Sequence, residues 1–210
     1  DGVQTFRMTG GTFTNPSYWN AGNVAGGEAV IDIQGGTLTT RDLFVGMSGG
    51  LSNVYISGGT VKITGTTSGI GLHIPGNTTG TGNMYVTGGT VTCGYIGMSD
   101  YGLLDIGING LVRVSGDVRT AMQGYVTSGY ITAEAGAANI VILYDGTYTS
   151  MLSSNNPAVA KANTPSPLNA VTGVSTIGTV LSWTAGSSAT AYNVYFGTDA
   201  NSMALVGSAQ

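Results

Sequence analysis

The sequence predicts an all-β chain: a right-handed parallel β-helix (a β-solenoid) over residues 1–150, a linker over 151–167 and a partial β-sandwich over 168–210. Three observations support this prediction. The 210 residues include 36 glycines, too many for an ordinary helical protein. The tripeptide Gly-Gly-Thr occurs four times at offsets of 25, 23 and 30 residues, a spacing typical of solenoid turns. Around each tripeptide, apolar residues alternate with the period of two expected in β-strands.

The first strand of each turn comes directly before the tripeptide. Two apolar residues separated by one other residue fall on the same face of a strand. The four pairs are Phe6 and Met8, Ile31 and Ile33, Val54 and Ile56, and Met84 and Val86. The glycines then form a corner, because glycine accepts positive φ and allows neighbouring turns to approach closely. We expect all four pairs to point into one core.

The second strand of each turn follows the corner and continues the alternation. Its inward residues are Leu38 and Thr40, Val61 and Ile63, and Val91 and Cys93. Cys93 therefore points into the core, where a single cysteine behaves as a small apolar residue.

A third segment recurs at residues 43–49 and 94–100. Aligning the turns on this segment places His73 in register with Phe44 and Tyr95, so we expect His73 to occupy one rung of an aromatic ladder. Trp19 falls near the same rung. The turn that contains His73 is longer because residues 65–69 are inserted, and insertions in solenoids form loops on one face.

The later turns are less regular. A degenerate turn covers residues 104–114, and further strands are expected at Tyr125–Ala133 and Ile140–Tyr144. The chain shows no sustained apolar period of 3.6 residues, so helices should be nearly absent. Stacking of five or six turns would close one continuous core.

The composition excludes several classes of function. Six Lys plus Arg and ten Asp plus Glu give a net charge of −4, which provides no basic surface for nucleic acid. No apolar stretch approaches the roughly 18 to 20 residues that span a bilayer. The chain contains one histidine and one cysteine, so zinc ligation and an intramolecular disulfide are excluded. We predict no metal and no cofactor. Residues 1–4 show neither a basic start nor an apolar run, so we expect any export signal to have been removed.

The composition changes after the solenoid. Residues Ser150–Pro167 are rich in Ser, Asn and Pro, as linkers are. Short apolar segments at 180–184 and 192–198 are then separated by a polar turn, at a spacing typical of sandwich strands.

Residues Pro165-Ser166-Pro167, Leu181-Ser182-Trp183-Thr184 and Tyr192-Asn193-Val194-Tyr195-Phe196-Gly197-Thr198 resemble the opening strands of a fibronectin type III-like (immunoglobulin-like) domain. The solenoid with its Gly-Gly-Thr corners is similar to β-helical repeats of large secreted or surface-attached bacterial proteins, notably of planctomycete type. Together these resemblances cover nearly the whole chain. They imply an exported, non-catalytic surface or matrix protein.

We expect the sandwich to be incomplete, because such a domain needs about 90 to 100 residues and 45 follow Pro165. Its apolar face therefore needs a cover. The first solenoid turn likewise has no preceding helix or polar cap, and exposed strand edges of this kind favour end-to-end association. The predicted subunit-interface residues are Phe6, Met8, Leu181, Trp183, Tyr192, Val194 and Phe196.

The leading hypothesis is an extracellular structural protein that assembles head to tail into a filament, matrix or sheath at the cell surface. A contact between two different surfaces gives a filament unless rotation closes a ring. The alternative is a carbohydrate-binding cell-surface adhesin that recognises a surface polysaccharide. In that case sugar rings would stack on Trp19, Phe44 and Tyr95.

We predict no catalytic residues. Polysaccharide-cleaving β-helices need clustered carboxylates or calcium, whereas the carboxylates here lie in different turns at non-equivalent positions: Asp32, Asp42, Asp100, Asp105 and Asp117. His73 has no second histidine and no nucleophile motif beside it.

Two surface features complete the prediction. The outward residues before each corner, Arg7, Asp32, Tyr55 and Tyr85, should form a second ladder. Asn77-Thr78-Thr79 matches the N-glycosylation acceptor pattern in a Gly/Thr-rich loop, which makes Asn77 a candidate glycosylation site. O-linked sugars on outward Thr and Ser residues are an open alternative.

Overall fold

The computed structural model describes residues 2–77, 79–156, 163–166, 180–184, 192–196 and 204–209. The chain divides into two compact units, Asp1–Asn156 and Pro157–Gln210. The first unit thus includes residues 151–156, among them the buried Met151 and Leu152. No helix in the described ranges has the length and apolar character needed to cross a bilayer.

The first unit is a β-solenoid of about five turns. Its elements in chain order are β1 (Gln4–Met8), β2 (Thr12–Ala21), β3 (Glu28–Ile33), β4 (Thr37–Val45), β5 (Leu51–Ile56), β6 (Thr60–Ile63), β7 (Leu72–Ile74), β8 (Thr81–Val86), β9 (Thr90–Cys93), β10 (Ile96–Met98), β11 (Gly102–Ile106), β12 (Leu111–Ser115), α1 (Arg119–Thr127), β13 (Ile131–Ala133), a 3-10 helix (Glu134–Gly136), β14 (Ile140–Tyr144) and β15 (Tyr148–Ser153).

Three faces surround the core. Face 1 is a parallel sheet in the order β1, β3, β5, β8, β11, β13. Face 2 stacks the start of β2 and of β4 on β6, β9 and β12, also in parallel. Face 3 contains the ends of β2 and β4 with β7 and β10. Strand β4 bends between faces 2 and 3, because its first half pairs with β6 and its second half with β7. The predicted solenoid is confirmed, and its right-handed sense stays a prediction.

The core is built from the alternating positions that the sequence indicates. On face 1, the inward residues Ile33, Ile56 and Val86 are at most 1% exposed. On face 2, Thr40 is fully buried, and its hydroxyl donates to the backbone oxygen of Asp42 at 3.0 Å. The buried hydroxyl is therefore satisfied without a water molecule.

The Gly-Gly-Thr corners stack on one another. Gly59 has φ +76°, and a Cβ placed there would lie 2.6 Å from the carbonyl oxygen of Gly36 in the preceding turn. Glycine is therefore required at this corner both for its backbone conformation and for the close approach of the neighbouring turn. This arrangement explains why the tripeptide recurs with the turn period.

One end of the solenoid is covered by α1 and a hairpin. Strand β15 runs antiparallel to β12 and pairs with β14 on its other side. Met122 of α1 is 2% exposed, and Val118, Tyr125 and Val126 pack against the core. The last parallel strands are thereby shielded from solvent.

This end differs from the sequence prediction. The strand expected at Tyr125–Ala133 is wrong for its first part, because Tyr125–Thr127 belongs to α1 and the strand covers Ile131–Ala133. The end of a solenoid core has no next turn to pair with, so an amphipathic helix covers it by side-chain packing alone. Strand β14 has the predicted bounds Ile140–Tyr144, but it runs antiparallel to its neighbour.

In the second unit the described residues form two antiparallel pairs. Strand β16 (Asn163–Ser166) pairs with β17 (Ser182–Thr184), and β18 (Tyr192–Phe196) pairs with β19 (Ala204–Ala209). Within the predicted linker, residues 151–153 belong to β15 of the solenoid and residues 163–166 form β16. The fibronectin type III-like resemblance stays a prediction.

Candidate functional site

An aromatic cluster lies in the first turn. Phe6, Phe13 and Trp19 occupy the register positions of Ile31, Leu38 and Leu43 in the second turn, and all three point inward. Their ring centroids lie 4.9 to 5.6 Å apart. Phe13 is nevertheless 39% exposed. The cluster therefore covers this end of the core while presenting apolar surface to solvent.

A cleft of about 940 Å³ opens beside this cluster. Residues 2–6 line one side and residues 19–31 the other, with Phe6, Trp19 and Asn20 among them. The side-chain oxygen of Asn20 is buried and has no hydrogen-bond partner. The cleft falls in the size range of small-molecule sites, which combine apolar walls with a few polar groups.

The predicted position of Trp19 on the aromatic ladder is wrong. A register shift between Asn15 and Tyr18 places Trp19 opposite Leu43 and leaves Asn20 opposite Phe44. The irregularity shifts the pairing of Trp19 by one position along the strand. Because successive side chains of a strand point to opposite faces, this shift turns the indole from the outer face to the core. Trp19 therefore belongs to the aromatic cluster of the core.

The ladder of face 3 contains the other three predicted members. His73 stacks on Phe44 with ring centroids 4.9 Å apart and 12° between the planes, and it contacts the Tyr95 ring at 5.5 Å. The predicted register of His73 with Tyr95 is wrong, because the residue paired with His73 in the next turn is Gly97, two residues beyond Tyr95. A Cβ on Gly97 would lie 3.1 Å from Cε1 of Tyr95, so the Tyr95 ring fills the space above this glycine.

The electrostatic environment of His73 is unusual for a surface ladder. Burial lowers the pKa of the imidazole, and the negative charge of Asp42 opposes this shift. Nε2 of His73 and Oδ1 of Asp42 are both buried without a hydrogen-bond partner. The other carboxylate oxygen of Asp42 accepts hydrogen bonds from Arg41 at 2.8 Å. The imidazole is therefore largely uncharged at neutral pH and lies near the Arg41–Asp42 ion pair.

The predicted outward ladder on face 1 is confirmed. The register places Arg7, Asp32, Tyr55, Tyr85 and Asp105 in one row across five turns. Arg7 binds Asp32 at 2.8 Å. Tyr55 and Tyr85 stack with centroids 5.2 Å apart and 10° between the planes. Because the stacked faces cover each other, this pair presents mainly its ring edges to solvent.

Asn77 lies at the corner between faces 3 and 1. Its side-chain oxygen accepts hydrogen bonds from the backbone of Ser48, Thr79 and Gly80 at 3.1 to 3.2 Å, and from the hydroxyl of Thr79 at 3.0 Å. The amide oxygen therefore organises the loop. Glycosylation at this residue stays a prediction.

The predicted interface residues differ in accessibility. Phe6 is half-buried in the aromatic cluster, and Met8 is 6% exposed. In the second unit Leu181 is 52% exposed and Trp183 is half-buried. Tyr192, Val194 and Phe196 lie in β18, and their side chains are outside the described part of the structure.

The acidic residues of the described ranges are engaged in separate contacts. Asp32 and Asp105, predicted at non-equivalent positions, share the row of face 1 but are separated by Tyr55 and Tyr85. In the part of the chain that the structure describes, no group of three or more His, Cys, Asp or Glu side chains lies close enough to hold a metal ion. Asp32 pairs with Arg7, Asp42 with Arg41, and Asp117 with Arg119. Asp105 accepts from the Thr132 hydroxyl at 2.6 Å. Each of these carboxylates therefore has a structural partner.

Two features of the site, the inward Phe13 and the buried Asp42, differ in how far the sequence indicates them. Phe13 had a usable signal, since it follows the corner at the position of Leu38 and alternates with Thr12 and Thr14. The burial of Asp42 had no signal in the sequence, because the inserted segment after Thr64 covers this carboxylate. The close approach is seen at Gly65, where a Cβ would lie 2.6 Å from Oδ1 of Asp42. No protein-family model matches the chain, and no similar curated protein or solved structure was found.

Proposed function

We propose that this chain is a non-catalytic structural segment of an extracellular or cell-surface protein, and that identical subunits associate head to tail into a filament or matrix. The observation that carries the proposal is the partly exposed aromatic cluster at one end of the solenoid. Apolar surface of this kind on an elongated repeat fold is characteristic of association sites.

The two ends of the solenoid are not equivalent. In the described ranges β1 pairs only with β3, and β2 only with β4, whereas the last parallel strands are covered by α1 and the hairpin. A direct contact between two solenoid ends would therefore have to displace this cover. The proposed second surface is on the C-terminal unit, where Val180 and Leu181 are 79% and 52% exposed.

The lack of surface charge supports an assembling structural role. The chain carries 16 charged residues, 8% of the total, so repulsion between neighbouring copies is weak. The acidic residues discussed above are used in internal pairs rather than in a reactive cluster. An extracellular location is consistent with the exported type of protein that the sequence resembles.

Electron microscopy combined with light scattering tests the association. We expect filaments or large oligomers for the intact chain, and smaller species for Phe13→Lys and for Leu181→Lys. Ile108→Lys is the matched control, since Ile108 is 44% exposed and follows β11, outside the first-turn cluster. A wild-type chain that stays monomeric at high concentration contradicts the proposal.

The cleft favours a second candidate, a carbohydrate-binding adhesin. Trp19 and Phe6 supply apolar walls, and Asn20 supplies an unpartnered amide oxygen. Sugars are bound by this combination of ring faces and polar groups. Binding to a glycan array that is lost in Trp19→Ala, but kept in Tyr95→Ala and Tyr101→Ala, would support sugar binding in the cleft. Loss in Tyr95→Ala alone would assign the sugar to the face 3 ladder. Tyr101 is 70% exposed and lies at the corner between β10 and β11, outside the cleft lining.

A further inference from the structure

The outer surface of face 2 carries a regular array of threonines. Two outward rows run across the first four turns of the solenoid. The first row contains Thr12, Thr37, Thr60 and Thr90, and the second contains Thr14, Thr39, Lys62 and Thr92. Seven of the eight positions are threonine, and we call this set the threonine array.

The array is regular because the backbone beneath it is regular. Pairing is parallel and unbroken from β4 to β6 and from β6 to β9, and the shift in β2 comes after Asn15. In the second to fourth turns the inward residues between the two rows are Leu38, Val61 and Val91, which are at most 2% exposed. Neighbouring turns place threonines about 4.8 Å apart, and the two rows are about 6.7 Å apart along each strand.

The hydroxyls of the array have no partner within the described part of the chain. None of the seven threonine side chains donates or accepts a hydrogen bond there, whereas the inward Thr40 does. Each of the seven is exposed or half-buried. The surface thus offers a grid of free hydroxyl and methyl groups in fixed positions.

The low charge of face 2 limits which class of partner the threonine array can bind. Lys62 is the one ionisable residue inside the array, and Arg113 at its edge is paired with Asp145 at 2.6 Å. An ionic polymer or an anionic membrane would require a cluster of opposite charge. The complementary partner is a neutral lattice that both donates and accepts hydrogen bonds at a fixed repeat.

We propose that the threonine array binds ice. Water molecules on a prism face of ice form a neutral hydrogen-bonding lattice whose two repeats are close to the two spacings of the array. Threonine suits this lattice, because its hydroxyl holds a water molecule in place while its methyl group and rigid χ1 restrict the neighbouring ones. This function is separate from the proposed subunit association, which uses the first-turn cluster and the C-terminal unit.

Partitioning into slowly growing ice tests the proposal with the purified full chain. The fraction of labelled protein taken up by the ice is measured against a soluble control protein, and single ice crystals are inspected for facets. We expect enrichment in the ice and faceted growth. Exclusion of the chain from the ice, to the level of the control protein, overturns the proposal.

Two variants and a matched control locate the surface. Thr39→Lys places a second charge beside Lys62 and should abolish enrichment, whereas Lys62→Thr completes the array and should increase it. Thr5→Lys, an exposed threonine on face 1, should behave as the wild type. Unchanged partitioning of folded Thr39→Lys overturns the proposal. If circular dichroism shows that Thr39→Lys is unfolded, Lys62→Thr becomes the deciding variant. The proposal is then overturned if Lys62→Thr is no more enriched in ice than the wild type. Thr39-dependent retention on insoluble chitin or cellulose without ice enrichment would assign the array to a polysaccharide instead.

Discussion

His73 lies parallel to Phe44 because the register of face 3 pairs the two residues in adjacent turns. The imidazole thus fills an aromatic position, and burial lowers its pKa below the ordinary value of 6.5 while Asp42 opposes the shift. Burial at this position favours the neutral ring, since protonation would place a charge in a partly desolvated site.

The first prediction concerns the pH dependence of stability. Well above pH 6.5 the imidazole is neutral in both the folded and the unfolded chain, so it does not make the free energy of unfolding depend on pH. As the pH falls below 6.5, the unfolded chain takes up a proton before the folded chain does, and the free energy of unfolding decreases until the folded pKa is passed. Urea unfolding between about pH 5 and 8 should show this decrease.

The variant His73→Phe serves as its control. It removes the titrating group and the unpartnered Nε2, and keeps a ring beside Phe44. We expect a gain of about 1 kcal/mol at neutral pH and a weaker slope between pH 5 and 6.5. An identical slope in the two proteins would show that other groups, such as the carboxylates, determine the pH dependence.

The second prediction separates the two roles of the corner glycines. Gly11 and Gly59 share φ +76°, but a Cβ on Gly11 would meet nothing within 4 Å, whereas one on Gly59 would lie 2.6 Å from the carbonyl oxygen of Gly36. Gly11→Ala should cost about 1 kcal/mol from backbone strain alone. Gly59→Ala should cost about 3 kcal/mol, because the turns must also move apart. Equal losses in chemical denaturation would contradict the role of close stacking.

The third prediction concerns the 3-10 helix after β13. Ala135 has φ +54°, and its backbone N–H donates to Oδ1 of Asp105 at 2.9 Å. The preceding Glu134 is also left-handed, and its carboxylate accepts hydrogen bonds from Ser153 and Asn155. These contacts hold a backbone conformation that alanine disfavours.

Substitution by glycine relieves that strain. Ala135→Gly should raise the free energy of unfolding by about 1 kcal/mol, since the exposed methyl group contributes little packing. Ala137→Gly, at φ −79° two residues later, should instead lower it by roughly 0.5 to 1 kcal/mol. Thermal unfolding of the two variants checks the opposite signs.

The period of two was sufficient to predict the solenoid, because it reports which side of a strand is buried. It placed Ile33, Ile56 and Val86 in the core, and turn alignment brought His73 onto Phe44. The alignment failed at Trp19, where a bulge reverses the side chain, since a bulge depends on pairing with a strand distant in sequence.

The helix was missed although its pattern is present. Val118, Met122, Tyr125 and Val126 follow a helical spacing, but nine residues are too few to stand out against β-branched neighbours. Its stability comes from covering the end of the core, which is a tertiary effect. Whether the threonine hydroxyls of the array have hydrogen-bond partners likewise depends on which groups of neighbouring turns lie near them. Sequence composition does not give this information.

The last prediction concerns Cys93, which face 2 directs into the core. The side chain is 1% exposed, and burial raises the pKa of the thiol to about 12. The thiolate is the reactive form, so the native protein should react with a disulfide reagent only as fast as it unfolds. The same property predicts that intermolecular disulfides do not contribute to the proposed assembly.

Thiol labelling with and without denaturant measures this directly. The reaction should be complete in urea and negligible under native conditions at neutral pH. Cys93→Ser should leave the oligomeric state unchanged. It should lower the free energy of unfolding by about 1 kcal/mol, because a more polar hydroxyl enters a largely apolar site where the backbone oxygen of Arg113, 3.7 Å from Sγ, is the acceptor. Rapid labelling of the folded protein would mean that face 2 opens locally, and the threonine array built on the same strand would then lose the rigidity on which ice binding depends.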